Sequence, residues 1–375
     1  MVALWIALGF SLLYMLLQLY YLVYWNKTPA LSIHSTAPPH TGVSVVIIAH
    51  NEARSIRSCI DGLLRQQYPT DLFEIIIVDD HSSDSTLETI KEIADDHIRI
   101  FQLKDYPEYI KAPAFKKSGI TLAVHKAKFE TIVVTDADCM HEEYWLQTVM
   151  HSFDDKMVFQ AAPVILTPGR SLLERMQETE QLTLMLITGA GIHSGLHYMA
   201  NGANMAFRKA AFLQVNGYEG NERYASGDDM FLIEKMSMAF PGKIAFAKSL
   251  QATVYTGGKK DWPSLFKQRL RWAGKNKGLR HKAIKRIWGF VGLYHILLVV
   301  LFLTALFHLT SSWPFLLLFC AKWTVDYMLI ASASIFFKRA SVLRYFVPLQ
   351  FLYTYYILRL GMMMILGKNG DWARS

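Results

Sequence analysis

Residues 130–139 read ETIVVTDADC, a run of β-branched apolar residues that ends in two acids, Asp136 and Asp138. The apolar run predicts a strand covered on both faces, because polar and apolar residues do not alternate in it. Side chains alternate along a strand with a period of two, so carboxylates separated by one residue point the same way from its end. There they could hold a hard cation such as Mg²⁺ or Mn²⁺, which prefers oxygen ligands and leaves positions for a substrate phosphate. A solvated turn or a helix cap is the ordinary alternative for such a triplet, so neighbouring segments must decide.

Two earlier segments repeat this plan of a strand, a polar loop and a helix. Residues 43–56 read VSVVIIAHNEARSI and predict a buried strand over 43–49, followed by a helix to about residue 67. Residues 74–94 read EIIIVDDHSSDSTLETIKEIA and predict a strand over 74–78 and a second helix. Strand–loop–helix units in series indicate an α/β protein with a Rossmann-like, doubly wound parallel sheet.

Polar side chains gather at the predicted carboxyl ends of these strands, the edge at which doubly wound sheets bind their ligands. The first strand is not followed by G-x-G-x-x-G, which argues against a dinucleotide cofactor. Ser82, Ser83 and Asp84 fall just before the second helix and are interpreted as its cap. The residues predicted at the edge itself are His50, Asn51, Glu52, Asp79, Asp80, Asp136 and Asp138.

Apolar residues make up 52% of the 375-residue chain, and the excess lies at its two ends. Residues 1–26 carry no charged side chain and are long enough to cross a bilayer as a helix. A cleaved signal peptide is the alternative, but no basic region precedes the run and no small-residue cleavage site closes it. Apolar character returns after Arg286 in residues 287–309, 313–337 and 345–366. The sequence therefore predicts four membrane helices.

Basic residues crowd the predicted membrane boundaries. With four crossings, the basic segments 275–286 and 338–344 fall on the same side, so the positive-inside rule predicts a cytoplasmic central domain. The formal net charge of +8 is interpreted as attraction to anionic lipid rather than to nucleic acid. The predicted domains are a membrane helix over 1–26, a cytoplasmic α/β domain over 27–286 that ends in an amphipathic interface helix, and three membrane helices with a short tail over 287–375.

Three charged residues fall inside the predicted spans. Lys322 and Asp326 lie four positions apart and would share one helical face, where pairing lowers the cost of an intramembrane charge. Arg359 lies in the last span. A functional role and a structural ion pair are both compatible with these positions.

An acidic pair follows in SGDDMFL, residues 226–232, where Asp228 and Asp229 are adjacent. Repulsion between neighbouring carboxylates could raise the pKa of one of them enough for it to accept a proton near neutral pH. The alternative, for Asp228 above all, is an acid favoured by the dipole of a helix N-terminus.

A basic and aromatic motif follows in QRLRW, where Gln268, Arg271 and Trp272 would lie on one helix face. Arg271 could hold phosphate oxygens through two parallel hydrogen bonds, and Trp272 offers a flat apolar surface against which a ligand can pack. Apolar residues in the preceding turns predict that this helix lies at the membrane interface, and an ordinary basic interfacial helix is the alternative. Residues from Ser171, SLLERMQETEQLTLMLITG, are predicted to form a second interfacial helix.

The order of six segments resembles the inverting, GT-A-fold nucleotide-sugar glycosyltransferases of family 2. The segments are VSVVIIAHNE, IIIVDDHSSDST, VVTDADC, NGANMAFRK, SGDDMFL and QRLRW. Over roughly residues 42–275 the chain is similar to the membrane-embedded branch that includes cellulose, chitin and hyaluronan synthases. The resemblance implies a divalent cation, Mg²⁺ or Mn²⁺, and transfer of a hexosyl or N-acetylhexosaminyl group from a nucleotide diphosphate sugar, with UDP as the expected nucleotide. The implied acceptor is a polysaccharide or a lipid-linked glycan.

The same resemblance implies a role for each motif residue. Asp138 contacts the metal directly, and Asp136 assists through the ribose or a neighbouring contact. Asp229 is the catalytic base with Asp228 in support, although the family usually carries Glu then Asp there. The implied nucleotide-sugar-binding residues are Asn51, Glu52, Asp80, Lys117, Asp136 and Arg271, where both Lys117 and its neighbour Lys116 could instead be solvated helix lysines. The implied acceptor-binding residues are Gly202, Asn204, Gln268 and Trp272.

A non-enzymatic alternative is a catalytically inactive relative that binds nucleotide or lipid within a glycan export complex. Asp80, Asp138, Asp229, Arg271 and Trp272 are all present, which weighs against a decayed site. Three helices after the domain are fewer than expected around a polymer channel, so a partner or an oligomer could complete a pore. A simple transporter or scaffold is excluded, since the central region is too long and too organised for a loop.

Overall fold

The computed structural model describes residues 2–31, 40–93, 95–275, 278–308 and 312–366. The strands are β1 (Val43–Ala49), β2 (Phe73–Asp79), β3 (Ile98–Gln102), β4 (Thr131–Asp136), β5 (Met140–His141), β6 (Phe159–Ala161), β7 (Val164–Leu166), β8 (Met205–Arg208), β9 (Ile244–Phe246) and β10 (Val254–Thr256). The helices are α1 (Val2–Lys27), α2 (Ile56–Leu64), α3 (Thr86–Lys91), α4 (Phe115–Lys126), α5 (Trp145–Ser152), α6 (Leu172–Ser194), α7 (Lys209–Gln214), α8 (Asp228–Ala239), α9 (Trp262–Lys275), α10 (Lys282–Leu306), α11 (Trp313–Phe336) and α12 (Phe346–Ile365). Short 3-10 helices cover Thr70–Leu72, Leu103–Asp105, Pro107–Tyr109 and Ala340–Tyr345.

A seven-stranded mixed sheet forms the centre of the domain, in the order β3-β2-β1-β4-β8-β6-β9. The four strands from β3 to β4 are parallel, and the apolar residues of β1, β2 and β4 are buried on both faces. This confirms the predicted α/β, Rossmann-like core. β8 runs antiparallel to both of its neighbours, so the predicted parallel arrangement ends at β4. The four residues of β8, MAFR, contain no β-branched run from which a strand could be recognised.

Strand register brings the polar strand ends together. Ala49 at the end of β1 pairs with Asp79 of β2, and Ile48 pairs with Asp136 of β4. A second sheet, in the order β5-β10-β7, begins directly after this edge, since β5 starts two residues beyond Asp138. The carboxyl edge of the main sheet is therefore the place where the acidic residues of the three loops meet.

The N-terminal helix is joined to the core of the domain. α1 packs along α6 and α11. Trp25 is buried and meets the rings of Phe246 and Phe336 edge-on, at centroid distances of 6.2 and 5.2 Å. Lys248 donates from Nζ to the carbonyl oxygens of Trp25 at 2.5 Å and Thr28 at 3.2 Å, which satisfies carbonyls at the C-terminal end of α1.

α6 begins with a capped first turn, and protein covers most of the helix. Ser171 Oγ accepts a hydrogen bond from the Glu174 amide, and the Glu174 carboxylate accepts one from the Ser171 amide. Most of the helix is buried, and it packs against α1 and α11. The prediction of an interfacial helix here is corrected, because tertiary contacts and not lipid cover its apolar positions.

Three of the described helices are long and apolar enough to cross a membrane, over Trp5–Lys27, Lys282–Leu306 and Trp313–Phe336. α10 begins several residues before the predicted start of the second span and so includes basic residues in its first turns. α12 covers most of the fourth predicted span but is not among the three, since Gln350, Arg359 and its tyrosines lower its hydropathy. The four-helix topology, the domain boundaries and the cytoplasmic location stay predictions.

The charged residues of the apolar helices make cross-helix contacts. Lys322 Nζ lies 2.5 Å from Asp326 Oδ2 and 2.9 Å from Gln350 Oε1, and the Tyr14 hydroxyl donates to Asp326 Oδ1 at 2.6 Å. The pair therefore links α11 to α1 and α12, which favours the structural interpretation. Arg359 donates to the Tyr355 hydroxyl one turn earlier on α12.

Candidate active site

Hydrogen bonds link the loop after β1 to the loop after β2. Asn51 has a positive φ of 55°, which short polar residues tolerate, and its amide donates to Ser82 Oγ at 3.1 Å. The Ser83 amide donates to Asn51 Oδ1 at 2.8 Å. None of the three residues predicted to cap the following helix is its N-cap, which is Ser85 without a side-chain hydrogen bond, although Asp84 accepts from the amide of Thr86, the first residue of α3, at 3.0 Å. Ser82 and Ser83 instead hold Asn51 in place.

Asp80 lies beneath this loop pair and is buried. Its amide donates to the carbonyl of Ala49 at 2.7 Å, and its Oδ1 contacts His81 Nδ1 at 2.9 Å. His50 Nδ1 lies 2.6 Å from the Asp80 carbonyl oxygen. Asn51 and Asp80, both predicted to bind nucleotide, therefore share one rigid corner of the sheet edge.

Glu52 faces the acids that follow β4. Its amide donates to Thr86 Oγ1 at 2.8 Å, and its carboxylate accepts from Ser55 Oγ at 2.6 Å. Burial raises the pKa of Glu52 against the opposing effect of the Ser55 hydrogen bond, and the negative charges of Asp138 and Asp136 raise it further. Carboxylates close enough to shift one another in this way form an environment that a cation would stabilise.

Lys116, near the start of α4, joins the acids of β4 to those of α8. Its Nζ lies 2.6 Å from Asp136 Oδ1 and 3.2 Å from Asp228 Oδ2. Burial lowers the pKa of Lys116, but Asp136 and Asp228 more than offset this and raise it above its ordinary value, so the ammonium stays charged. Burial raises the pKa of Asp136, although Lys116 opposes the shift. The resemblance implied nucleotide-sugar binding for the neighbouring Lys117 instead.

Lys117 is not brought to the carboxylates. Its side chain is buried and donates to the carbonyl oxygens of Asn221 at 2.9 Å and Tyr224 at 2.6 Å, with Nζ 4.6 Å from the centroid of the Phe231 ring. Successive helix residues point about 100° apart, so only one of two adjacent lysines can face the strand ends. Lys117 holds the loop that leads into α8, and Lys116 is the lysine that contacts the carboxylates.

The acidic pair opens α8, directly after Gly227, which has a positive φ of 86°. Asp228 is buried against Lys116, whereas Asp229 is half-buried and accepts from the Met230 amide at 2.7 Å. Lys116 also interacts electrostatically with Asp229. Asp229 is thus the more accessible of the two carboxylates, and the roles implied for the pair stay predictions.

Asp138 is exposed at the outer side of the cluster, where its Oδ2 accepts from Thr256 Oγ1 of β10 at 3.2 Å. Among the described residues, no group of three or more His, Cys, Asp or Glu side chains is placed to hold a metal ion by itself. Mg²⁺ is commonly bound through one or two carboxylates together with substrate phosphates. Asp138 and Asp136 fit a metal that arrives with a diphosphate, because they offer carboxylate oxygens and leave the remaining positions to the ligand.

Gly202 lies directly beside the ion pair between Lys116 and Asp228. A Cβ added to it would lie 2.5 Å from Asp228 Oδ2 and 3.1 Å from Lys116 Nζ. The resemblance implied that Gly202 binds the acceptor. In the structure the close neighbours of Gly202 are the side chains of the site itself.

Asn204 lies in the framework behind the site. It is fully buried, its Nδ2 donates to the carbonyl oxygens of Pro163 and Ala252 at 2.8 Å each, and its Oδ1 accepts from Trp145 Nε1 at 3.2 Å. With its amide engaged on three protein groups, Asn204 has no surface for an acceptor, and the acceptor-binding prediction is corrected to a structural role.

Replacing Asn204 by alanine is expected to lower the free energy of unfolding by on the order of 3 kcal/mol, because buried polar partners lose their hydrogen bonds. Thermal unfolding in detergent measures this, with Gln214→Ala at the exposed end of α7 as the control. An unchanged unfolding temperature together with a raised KM for the acceptor would restore the original assignment.

α9 contains the QRLRW motif, and the apolar side of this helix packs against other helices of the protein. Leu265 and Phe266 pack in one cluster with residues of α6 and α12, and Trp262 stacks on Phe266 at a centroid distance of 5.5 Å. Of the three predicted site residues, Arg271 is exposed and Gln268 and Trp272 are half-buried. Arg269, which no sequence pattern singled out, is buried between them.

Known protein families match most of this chain. A family model described as glycosyl transferase family 2 matches residues 44–215, and one described as glycosyl transferase family group 2 matches residues 131–365, more than half of the chain. The chain belongs to glycosyl transferase family group 2. This confirms the prediction of a glycosyltransferase.

Relatives of this glycosyltransferase match it over part of their length. It is 24% identical over 239 residues to the probable glycosyltransferase YdaM of Bacillus subtilis (strain 168), which covers 63% of this chain and 55% of that protein. It is 23% identical over 198 residues to the poly-beta-1,6-N-acetyl-D-glucosamine synthase of Staphylococcus aureus (strain COL), which covers 52% of this chain and 44% of that protein. The matched region thus spans about half the length of these relatives.

A solved structure shows the same fold. The mannosyltransferase PcManGT from Pyrobaculum calidifontis, in complex with GDP-Man and Mn²⁺, superposes with a TM-score of 0.55 at 18% identity and covers 93% of this chain and 96% of that one. The glycosyltransferase therefore has the GT-A fold expected from its sequence.

Proposed function

We propose that this family member is a membrane-bound, metal-dependent, inverting glycosyltransferase. It moves a hexosyl or N-acetylhexosaminyl group from a nucleotide diphosphate sugar to a polysaccharide or lipid-linked acceptor, with its active site facing the cytoplasm. The observation that carries the proposal is the contact of Lys116 with both Asp136 and Asp228, since it joins the acids after β4 to those of α8. Asp138 and Asp229 then stand next to the same cluster.

The donor side is assigned to the corner between β1, β2 and β4. Asn51, Glu52 and Asp80 bind the nucleobase and ribose, and Asp138 and Asp136 hold Mg²⁺ or Mn²⁺. The metal supplies positive charge to the diphosphate leaving group. Lys116 adds a second fixed positive charge at the inner side of the same acids. UDP is the proposed nucleotide, whereas the PcManGT complex contains GDP-Man.

The acceptor side is assigned to the N-terminus of α8 and to α9. The acceptor hydroxyl oxygen forms a bond to the anomeric carbon as the bond from that carbon to the diphosphate oxygen breaks, and the hydroxyl proton passes to Asp229. A single displacement of this kind inverts the anomeric centre, so an α-linked donor yields a β-linked product. Gln268 and Trp272 orient the acceptor, and Arg271 provides an exposed positive charge beside them.

Export of a polymer through the membrane would require enough membrane helices to surround a channel. Three described helices are long and apolar enough to cross a membrane. If the product is a polymer, a partner or a second copy of the chain is proposed to complete its path.

Metal dependence tests the proposal. The purified protein is incubated with UDP-glucose, UDP-N-acetylglucosamine and GDP-mannose in turn, and nucleotide release is followed as Mn²⁺ or Mg²⁺ is titrated. Asp138→Asn is expected to raise the metal concentration at half-maximal activity by at least about tenfold, since a ligand oxygen loses its charge. The matched control is Asp155→Asn, whose carboxylate is 96% exposed and lies in the loop before β6.

Two outcomes would contradict the proposal at different points. Failure of wild type to release nucleotide from any donor with either metal would favour an inactive nucleotide- or lipid-binding protein. An unchanged metal requirement in Asp138→Asn would remove Asp138 from the metal site while leaving the transferase activity standing.

A further inference from the structure

Arg269 is the buried residue of QRLRW, and each part of its guanidinium is engaged. It is 7% exposed. Its Nε donates to the Tyr356 hydroxyl at 3.1 Å, its Nη1 to Gln268 Oε1 at 3.2 Å, and its Nη2 to Glu180 Oε2 at 2.5 Å. The guanidinium carbon lies 4.2 Å from the centroid of the Trp272 ring. One buried side chain therefore contacts both half-buried residues that the proposed function assigns to the acceptor.

Two distant segments hold this arginine in place. Glu180 lies in the middle of α6 and Tyr356 in α12, respectively 89 and 87 positions away from Arg269 along the chain. The Tyr356 hydroxyl also donates to Glu180 Oε1 at 3.3 Å, which closes a triangle of side chains from three helices. The triangle joins α9 to the core of the domain on one side and to the C-terminal helices on the other.

The geometry defines the plane of the guanidinium. A guanidinium is flat and carries its donors in a fixed fork, so partners at Nε, Nη1 and Nη2 leave it a single orientation. A cation over an indole ring is attracted to the ring face, which in turn favours one orientation of Trp272. Since burying this charge without partners would be costly, the arrangement needs all of its partners at once.

We propose that Glu180, Arg269 and Tyr356 form a positioning unit that sets Gln268 and Trp272 for the sugar acceptor. The unit contacts neither the donor nor the reacting atoms. It acts by fixing the orientation of Gln268 and Trp272, which place the acceptor. The inference rests on the proposed function, because it takes Trp272 as the surface on which the acceptor sugar packs. It predicts that disturbing the unit separates use of the acceptor from turnover of the donor.

Graded variants test the unit. Tyr356→Phe removes one hydroxyl, Glu180→Gln removes the charge that pairs with Arg269, and Arg269→Lys keeps the charge but loses the flat fork. The matched control is Tyr355→Phe, the same change one residue away at an exposed position of α12. The ratio of labelled sugar transferred to a membrane extract from the source cells, relative to labelled sugar released to water, is measured for each variant with the donor that wild type accepts.

A second readout does not depend on the acceptor. The protein, which has nine tryptophans, is labelled with fluorotryptophan, and the Trp272 resonance is assigned by its loss in Trp272→Phe. In Glu180→Gln and Arg269→Lys this resonance is expected to shift or broaden while the others stay in place. In the same variants the ratio of transfer to hydrolysis is expected to fall by about ten- to a hundredfold, since small misplacements of a bound reactant cost this much.

The outcomes separate this inference from the function on which it rests. Wild type that turns over donor, with variants that lose transfer and hydrolysis in equal measure, would make the unit merely structural and overturn the inference. An unmoved Trp272 resonance in Arg269→Lys would also overturn it. Wild type without any donor turnover would instead overturn the proposed function itself. Tyr356→Phe guards against misfolding, because it keeps the ion pair and removes one oxygen atom.

Discussion

Asp229→Asn is expected to lower the rate of sugar transfer by about 10²- to 10⁴-fold, because the acceptor hydroxyl loses the group that takes its proton. The affinity for the nucleotide sugar is expected to stay within about twofold of wild type, since the donor side is built from other residues. Single-turnover transfer at saturating donor measures the first quantity and titration with nucleotide diphosphate the second. Asp229 is half-buried at the start of α8, whereas Asp228 beside it is engaged with Lys116.

Two comparisons make this result specific to Asp229. Asp71→Asn changes an exposed carboxylate in a short 3-10 helix and is expected to leave transfer unaltered. Asp228→Asn is expected to weaken the contact with Lys116 and to destabilise the site as well as slow it. If Asp228→Asn abolished transfer at normal stability while Asp229→Asn remained within tenfold of wild type, the base would be Asp228.

Gly202→Ala is the second substitution with a large expected effect, a loss of about a hundredfold in transfer. The new methyl group would lie 2.5 Å from Asp228 Oδ2 and 3.1 Å from Lys116 Nζ, so the ion pair must move or the backbone must retreat. Overpacking of this kind also costs about 1–3 kcal/mol of stability. The φ of Gly202 lies outside the left-handed range, so the effect is steric and not a matter of backbone conformation.

A matched glycine separates the steric effect from a general one. Gly289→Ala adds the same methyl group in α10, where nothing lies within 4 Å of it, and it is expected to leave transfer unaltered and the unfolding temperature equal to or slightly above that of wild type, because Ala is the better helix former. Transfer activity and thermal unfolding are measured together for both variants. Full activity in Gly202→Ala would mean that the contact between Lys116 and Asp228 can be displaced without consequence for the reaction.

The parts of the fold that sequence reasoning predicted are those that depend on neighbours along the chain. Continuous Val and Ile runs identified β1, β2 and β4, because a strand buried on both faces needs no polar alternation. β8 was not recognised as a strand, because only its pairing between β4 and β6 makes it one. The apolar content of α12 predicts a membrane span, which stays a prediction, and only the tertiary structure shows that its polar residues contact Lys322 and Arg269.

In the candidate site, too, some features follow from neighbours along the chain and others from the packing of distant segments. The acids at strand ends could be predicted, since strand direction and period place them at one edge. Lys116 and Lys117 are equivalent along the chain, and only the packing of α4 turns the first toward Asp136 and the second toward the loop before α8. Arg269 is likewise indistinguishable from Arg271 until α6 and α12 close over it.

By itself the sequence determined the strands of the sheet, the acids at their carboxyl ends and the order of motifs that marks the glycosyltransferase family. Tertiary structure alone decided which lysine joins those acids, that a Cβ at position 202 would meet Asp228 and Lys116, and that Asn204 and Arg269 are buried. Periodicity along a chain says which side chains share a face. The partners of that face come from segments far away in sequence, and the residues next to it along the chain do not indicate which segments these are.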